Sequence, residues 1–170
     1  MAAWPWSASA AVDVTELSLE QLMKVELPAL STTARFTVSA TAIDSCTISA
    51  APLAFGTYDA LRQAPTDATS SIKVICTVGT AYQVALDSGL GSGATVQSRA
   101  MQRNGQALLR YTLFRDPTRA LVWGQTANQD TVGGVGTGMP VEHMVHGRIA
   151  PRQTLPSGTY VDTVTATVLY

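Results

Sequence analysis

Residues 35–43 carry the sequence RFTVSATAI, in which apolar and polar side chains alternate from Phe36 to Ala42. Successive side chains of a β-strand point to opposite faces, so this period of two predicts a strand with one apolar and one polar face. Cys46 follows almost at once. The apolar face of this segment comprises Phe36, Val38, Ala40 and Ala42.

Strand-like runs of similar character recur along the rest of the chain. They lie at residues 72–78, 82–86, 107–114, 141–149 and 159–170. Glycine, proline and asparagine separate them, and Asn104-Gly105 suits a tight hairpin with positive φ at both central residues. Because no helical period recurs after residue 30, the pattern predicts an all-β sandwich or barrel.

The first part of the chain differs from this pattern. Residues 13–28 form the only helix-like stretch, in which Ser18 and Gln21 fit a capping box. Small residues at 7–10 resemble a signal-peptide cleavage region, and the alternative is a disordered terminus. We therefore predict an N-terminal extension over residues 1–33 and a β-domain over residues 34–170.

The composition limits the classes of function. Charged residues make up 14% of the 170 residues, against a typical share of about 25%. The net charge is −1 with no basic run, so binding to nucleic acid has no electrostatic driving force. No window approaches 18 consecutive apolar residues, the length that a membrane-spanning helix requires.

Cys46 and Cys76 are the two cysteines of the chain. They form no CxxC motif, and a lone pair does not supply a zinc cage. The residues alone leave two interpretations open: a pair of buried free thiols, or one disulfide that requires an oxidising compartment.

Two motifs could suggest a ligand site. His143 and His146 have a spacing that suits a metal pair on a helix, but in a strand the same spacing points them to opposite faces. The glycine-rich segment 133–138 is not followed by a helix or a GK[ST] sequence, so we interpret it as a loop between strands. Neither motif predicts a metal or a cofactor.

The sequence evidence for a catalytic site or a sugar-binding site is equally weak. The aspartates next to turns and strand starts are of the kind that bond their own backbone. The aromatic residues could form a sugar platform, or they could pack in the core. These residues are Asp87, Asp116, Asp162, Tyr111, Phe114 and Trp123. With no nucleophile–base pairing in view, the sequence does not predict an enzyme.

An ordered set of short motifs resembles a known family. The motifs are LAFGTY at 53–58, IKVICT at 72–77, YQVALDSG at 82–89, RAM at 99–101, LRYTLFRD at 109–116, WG at 123–124, GRI at 147–149 and GTYVDTV at 158–164. Over residues 34–170 the chain resembles the spore coat protein U domain, which also occurs in subunits of archaic chaperone–usher pili. One departure is His146, where the family typically has an aromatic residue.

The resemblance implies an incomplete immunoglobulin-like β-sandwich that lacks its last strand. In archaic pili a neighbour's N-terminal segment fills the resulting groove, by donor-strand complementation. By position, the donor face here is Phe36, Val38, Ala40 and Ala42; the alternative is an ordinary first strand of the chain's own domain. The resemblance also implies a disulfide between Cys46 and Cys76.

The function implied is that of a structural subunit of an exported surface fibre that supports adhesion and biofilm formation. Its expected partners are a periplasmic chaperone, an outer-membrane usher and other copies or related pilin subunits, with no cofactor. The expected route leads through the periplasm to the cell surface. The alternatives are a self-complemented spore coat or outer-surface protein and a glycan-binding adhesin module.

Overall fold

The computed structural model describes residues 18–22 and 31–170. The chain divides into two compact units, Met1–Ala40 and Thr41–Tyr170. The first unit contains one short helix, α1, at Leu19–Leu22, inside the predicted helical stretch, whose remainder lies outside the described residues. The second unit contains strands β1 Cys46–Ala50, β2 Thr66–Cys76, β3 Ala81–Leu86, β4 Arg99–Arg103, β5 Gln106–Phe114, β6 Val132–Val135, β7 Val141–Ile149 and β8 Ala166–Leu169.

These strands form two antiparallel sheets, which confirms the all-β prediction. The larger sheet has five strands in the order β1-β2-β7-β5-β4, and the smaller has three in the order β6-β3-β8. A hairpin joins β4 to β5 at Asn104 and Gly105, whose φ angles of 51° and 72° match the predicted turn. No described helix has the length and apolar character that crossing a membrane would need.

The core is formed by the inward faces of the central strands. Trp123, Val74 and Val84 are completely buried. The Trp123 indole N–H donates to the Val84 carbonyl oxygen at 2.9 Å, so its one polar atom is satisfied inside the sandwich. The wider cluster also contains Ile72, Tyr82, Leu86, Leu109, Tyr111, Leu113, Val145 and Ile149.

Arg99 is a charged member of this interior, with no exposed surface. Its guanidinium donates to main-chain oxygens at distances of 2.8–3.1 Å. The acceptors are the carbonyls of Leu86, Asp87, Val96 and Trp123. A buried cation is costly unless it is hydrogen-bonded, and here one side chain joins three segments of backbone.

Three predictions of local structure were wrong. The glycine-rich segment is not only a loop, because Gly133 and Gly134 lie in β6 at the edge of the smaller sheet. A Cβ at Gly134 would approach the Tyr82 hydroxyl to 2.5 Å, so glycine makes room there for the ring. Residues 35–43 form no strand in the described chain, so the alternative of an ordinary first strand of the same domain is wrong, and the donor role stays a prediction. Only residues 166–169 of the run 159–170 belong to a strand.

Candidate assembly groove

An apolar groove opens between the sheets because the five-stranded sheet is wider than its three-stranded partner. The groove has a volume of about 450 Å³. One wall is the chain that follows β1, at residues 50–55, and the other is the chain that leads into β8, at residues 160–164. Its floor consists of Ile72, Leu86, Met101, Tyr111, Leu113 and Val145.

A second cleft of about 820 Å³ lies beside the first. Its walls are continuations of the same two segments, at residues 53–60 and 155–160. Leu53, Phe55, Met101 and Tyr160 line both cavities. The two together therefore make an elongated groove rather than a closed pocket for a small molecule.

The groove walls continue from edge strands and carry half-buried apolar side chains. In the described part of the chain, β8 pairs only with β3 and β1 pairs only with β2, so each is a sheet edge. A free edge is a template for another strand. Apolar side chains that pack on the core while staying partly exposed line the groove, namely Leu53, Phe55, Tyr58, Leu155, Tyr160 and Val164.

Hydrogen bonds hold the β8-side wall in place without any added strand. Val161 and Gln102 exchange backbone hydrogen bonds of 2.7 and 3.0 Å. The Tyr111 hydroxyl donates to Asp162 Oδ2 at 2.6 Å, and Asp162 Oδ1 accepts from the Leu90 N–H at 2.8 Å. Burial, with the Asp162 carboxylate beside it, raises the pKa of Tyr111 far above its ordinary value, so the hydroxyl remains a donor.

The opposite wall is also fixed. Ser70 Oγ donates to the carbonyl oxygens of Ala51 at 2.7 Å and Pro52 at 3.1 Å, and the Ala51 N–H donates to Ser71 at 2.9 Å. The Phe55 ring packs edge-on against Tyr111, with the ring centroids 5.9 Å apart. The groove is therefore preformed, which lowers the ordering cost of filling it.

The predicted donor face lies in a segment without secondary structure. Residues 31–45 form no strand, and all four predicted donor residues are exposed. Phe36 is 87% exposed and Val38 is 81% exposed. A large aromatic and a branched aliphatic side chain left in water on one alternating face are typical of a segment that another surface covers.

The predicted cysteine pair is joined. Cys46 and Cys76 lie opposite each other at the end of the β1–β2 ladder and form a disulfide. Beside it, the Thr80 hydroxyl donates to Asp44 Oδ1 at 2.8 Å and the Thr77 N–H donates to the Ser45 carbonyl at 3.0 Å. Sequence reasoning missed this cluster, although the Thr-X-X-Thr sequence directly after Cys76 is a signal that could have indicated it.

The histidines lie on opposite faces of β7, as their spacing predicted. His143 points into the sandwich, where its Nε2 is 2.9 Å from the Tyr82 hydroxyl, and His146 lies on the outer face. Burial lowers the pKa of His143. Across residues 18–22 and 31–170, no three His, Cys, Asp or Glu side chains converge as metal ligands.

Asp87 and Asp116 bond backbone nearby in the sequence, as predicted, whereas Asp162 also accepts from the distant Leu90 N–H and Tyr111 hydroxyl. Asp87 Oδ1 accepts from the Gly89 and Thr165 N–H groups at 2.9 Å. Asp116 Oδ1 accepts from the Leu121 N–H at 2.7 Å. The burial of Trp123 and Tyr111 places these aromatic residues in the core rather than on a sugar-binding surface.

The fold and groove define a class: an immunoglobulin-like β-sandwich with one side left open. The chain belongs to the Spore Coat Protein U domain family, whose model matches residues 32–167. It is similar to "Protein U" of Myxococcus xanthus, with 36% identity over 128 residues, which cover 69% of this chain and 71% of that protein. Both the family and the fold are those of structural proteins rather than enzymes.

A solved structure is also similar. It is a chain in the chaperone–tip adhesion subunit pre-assembly complex CsuC–CsuE, from the archaic chaperone–usher Csu pili of Acinetobacter baumannii. The TM-score is 0.57 and the identity 28%, over 76% of this chain. The match spans 40% of the length of that solved chain.

Proposed function

We propose that this chain is a structural subunit of a secreted surface fibre of the archaic chaperone–usher type. In this proposal, residues 35–43 of one copy or of a related subunit fill the groove of the next by donor-strand complementation. The proposal rests on the presence of two features in one chain: an open apolar groove and an exposed segment in which apolar and polar residues alternate.

The length of the proposed donor segment agrees with the length of the groove wall. A strand rises about 3.3 Å per residue, so residues 35–43 would extend over about 30 Å. The wall formed by residues 155–164, which line the two cavities, would span about 33 Å on the same measure. An added strand would lie along this wall and place alternate side chains on the groove floor.

Burial supplies the driving force. Moving Phe36 and Val38 from water into the groove would contribute roughly 1.5–3 kcal/mol each. The polar face, with Thr37 and Ser39, would stay in solvent. A head-to-tail contact of this kind does not close on itself, so repetition gives a filament.

The expected partners follow from the same surfaces. A periplasmic chaperone would cover the groove before assembly, as the chaperone–subunit complex of the Csu pili suggests. An outer-membrane usher would receive the subunit, and the finished fibre would support adhesion and biofilm formation. The disulfide fits a chain that passes through an oxidising compartment.

A synthetic peptide of residues 31–45 tests the proposal directly. We expect the peptide to bind a chain that lacks residues 1–43, measured by calorimetry, and to raise its melting temperature. A Phe36→Ala peptide should bind about 10- to 100-fold more weakly, because it loses the largest buried side chain. The matched control carries Thr37→Ala and Ser39→Ala on the solvent face and should bind within about threefold of the natural peptide.

Two outcomes would contradict this function. One is a chain without residues 1–43 that unfolds cooperatively with high stability and ignores the peptide. The other is equal weakening by the Phe36→Ala and Thr37→Ala/Ser39→Ala peptides, since a strand must distinguish its two faces. A self-complemented coat protein is less well supported, because residues 31–45 pair with no strand of the described chain.

A further inference from the structure

The disulfide lies at the root of the proposed donor segment, and its position suggests a mechanical role. Only Asp44 and Ser45 separate that segment from Cys46. Any tension on the segment therefore enters the folded domain at Cys46. There the covalent bond leads directly to Cys76, 30 residues further along the chain.

Beyond Cys76 the load has a short route to the groove. The turn at residues 77–80 leads into β3, which starts at Ala81. Strand β3 pairs with β8 from Gln83↔Leu169 to Leu86↔Ala166. Strand β8 continues from the groove wall at residues 160–164, so the route from one fibre joint to the next runs through the disulfide, β3 and β8 to that wall.

This route bypasses residues 47–75, which lie inside the disulfide loop. The bypassed part includes most of β1 and the groove wall at residues 50–55. Without the bond, tension at Cys46 would act on β1, an edge strand held by a single ladder. Peeling β1 from β2 would then draw Leu53 and Phe55 out of the wall.

We propose that the Cys46–Cys76 disulfide is a mechanical anchor that keeps fibre tension away from the groove wall at residues 50–55. It makes the two joints of a subunit mechanically independent: pulling on the outgoing segment does not loosen the incoming one. The bonds from Thr80 to Asp44 and from Thr77 to Ser45 reinforce the same root. This inference rests on the proposed fibre function, since only a fibre subunit is pulled in this way.

Single-molecule tension on the full chain tests the anchor. The chain is held by its two ends in an optical trap, and a fluorescent peptide of residues 31–45 occupies the groove. The lifetime of the bound peptide is measured at constant tension, before and after reduction of the folded complex. We expect reduction to shorten this lifetime at least tenfold under tension and to change it less than twofold at zero tension.

Reduction should also add an early lengthening before the main unfolding step. Its upper limit is about 100 Å, the extended length of the 30-residue loop. A positive control moves one attachment point to position 61, an 89% exposed residue inside the loop. Pulling there loads the wall directly, so the peptide should be lost quickly whether or not the disulfide is intact.

Two results would overturn the anchor: equal lifetimes under tension in the oxidised and reduced chains, or equal shortening by reduction with and without tension. The second would mean that the bond stabilises the fold in general and has no special place in the load path. Failure of the fibre proposal looks different, because the oxidised chain would then not bind the peptide at zero tension. The early lengthening on reduction would still report on the anchor in that case.

Discussion

The two sides of this sandwich differ in how completely their core-facing side chains are buried. On the closed side, Trp123, Val84 and Val74 are completely buried, and Arg99 joins several backbone segments with its guanidinium. On the open side, the side chains of residues 53–55 and 160–168 that face the core are only half-buried. The closed side is the fully packed core, and in the proposed function the open side is the surface that a partner's strand covers.

The open side is held in place by hydrogen bonds rather than by complete burial. The groove walls are apolar and incompletely covered, yet hydrogen bonds such as Tyr111–Asp162 and Ser70–Ala51 hold them in place. A wall that collapsed would bury its own apolar surface and leave nothing for an added strand. Polar bonds around an apolar groove thus maintain an open state that hydrophobic burial alone would close.

The largest expected effect comes from the closed side. Trp123→Ala removes the largest completely buried side chain and should lower the free energy of unfolding by about 3–5 kcal/mol. Urea titration of the peptide-saturated chain measures this change. Leu90→Ala, at a 73% exposed position, is the control and should change stability by less than about 0.5 kcal/mol. Similar losses for the two variants would show that the closed side is not the source of stability.

On the open side, the effect should appear in binding rather than in folding. Phe55→Ala removes a half-buried ring that lines both cavities, and should weaken the peptide of residues 31–45 about tenfold. Its effect on the stability of the peptide-free chain should be much smaller than that of Trp123→Ala. Calorimetry and urea titration of the same variant separate the two quantities.

Leu61→Ala is the matched control for this variant. Leu61 lies in the same connection between β1 and β2 but is 89% exposed, so its truncation should leave peptide affinity unchanged. If Phe55→Ala instead destabilised the free chain as strongly as Trp123→Ala and left affinity intact, Phe55 would belong to the closed core. The division of the sandwich into two sides would then fail at that position.

Sequence reasoning predicted the closed side better than the open one. The run at residues 141–149 coincides with β7, and the run at 82–86 falls within β3, because alternating burial leaves a period of two in the sequence. The short strands β1, β4 and β6 were missed. Strand β1 alternates apolar and polar residues but over only five positions, and β6 has glycine at two of four positions, so neither gives a clear signal in the sequence.

The candidate site was predictable in part. Phe36, Val38, Ala40 and Ala42 were identified because their alternation is a local property of the chain. The groove was expected only through family resemblance, since it is formed by segments about 100 residues apart, at 50–55 and 160–164. Its polar supports, such as Asp162 beneath Tyr111, could not be paired without the fold.

The smallest expected effect is a pH dependence confined to the closed side. Because burial lowers the pKa of His143 below its ordinary value of 6.5, the unfolded chain binds a proton more readily than the folded one. The stability that neutral His143 provides, with its bond to Tyr82, is therefore present above pH 6.5 and is lost as the pH falls below it. Urea titrations from pH 7.5 to 5 should show this loss, and His143→Gln should reduce it. His146→Gln, on the outer face of the same strand, is the matched control, and an equal response of the two variants would mean that the inward position of His143 is not its cause.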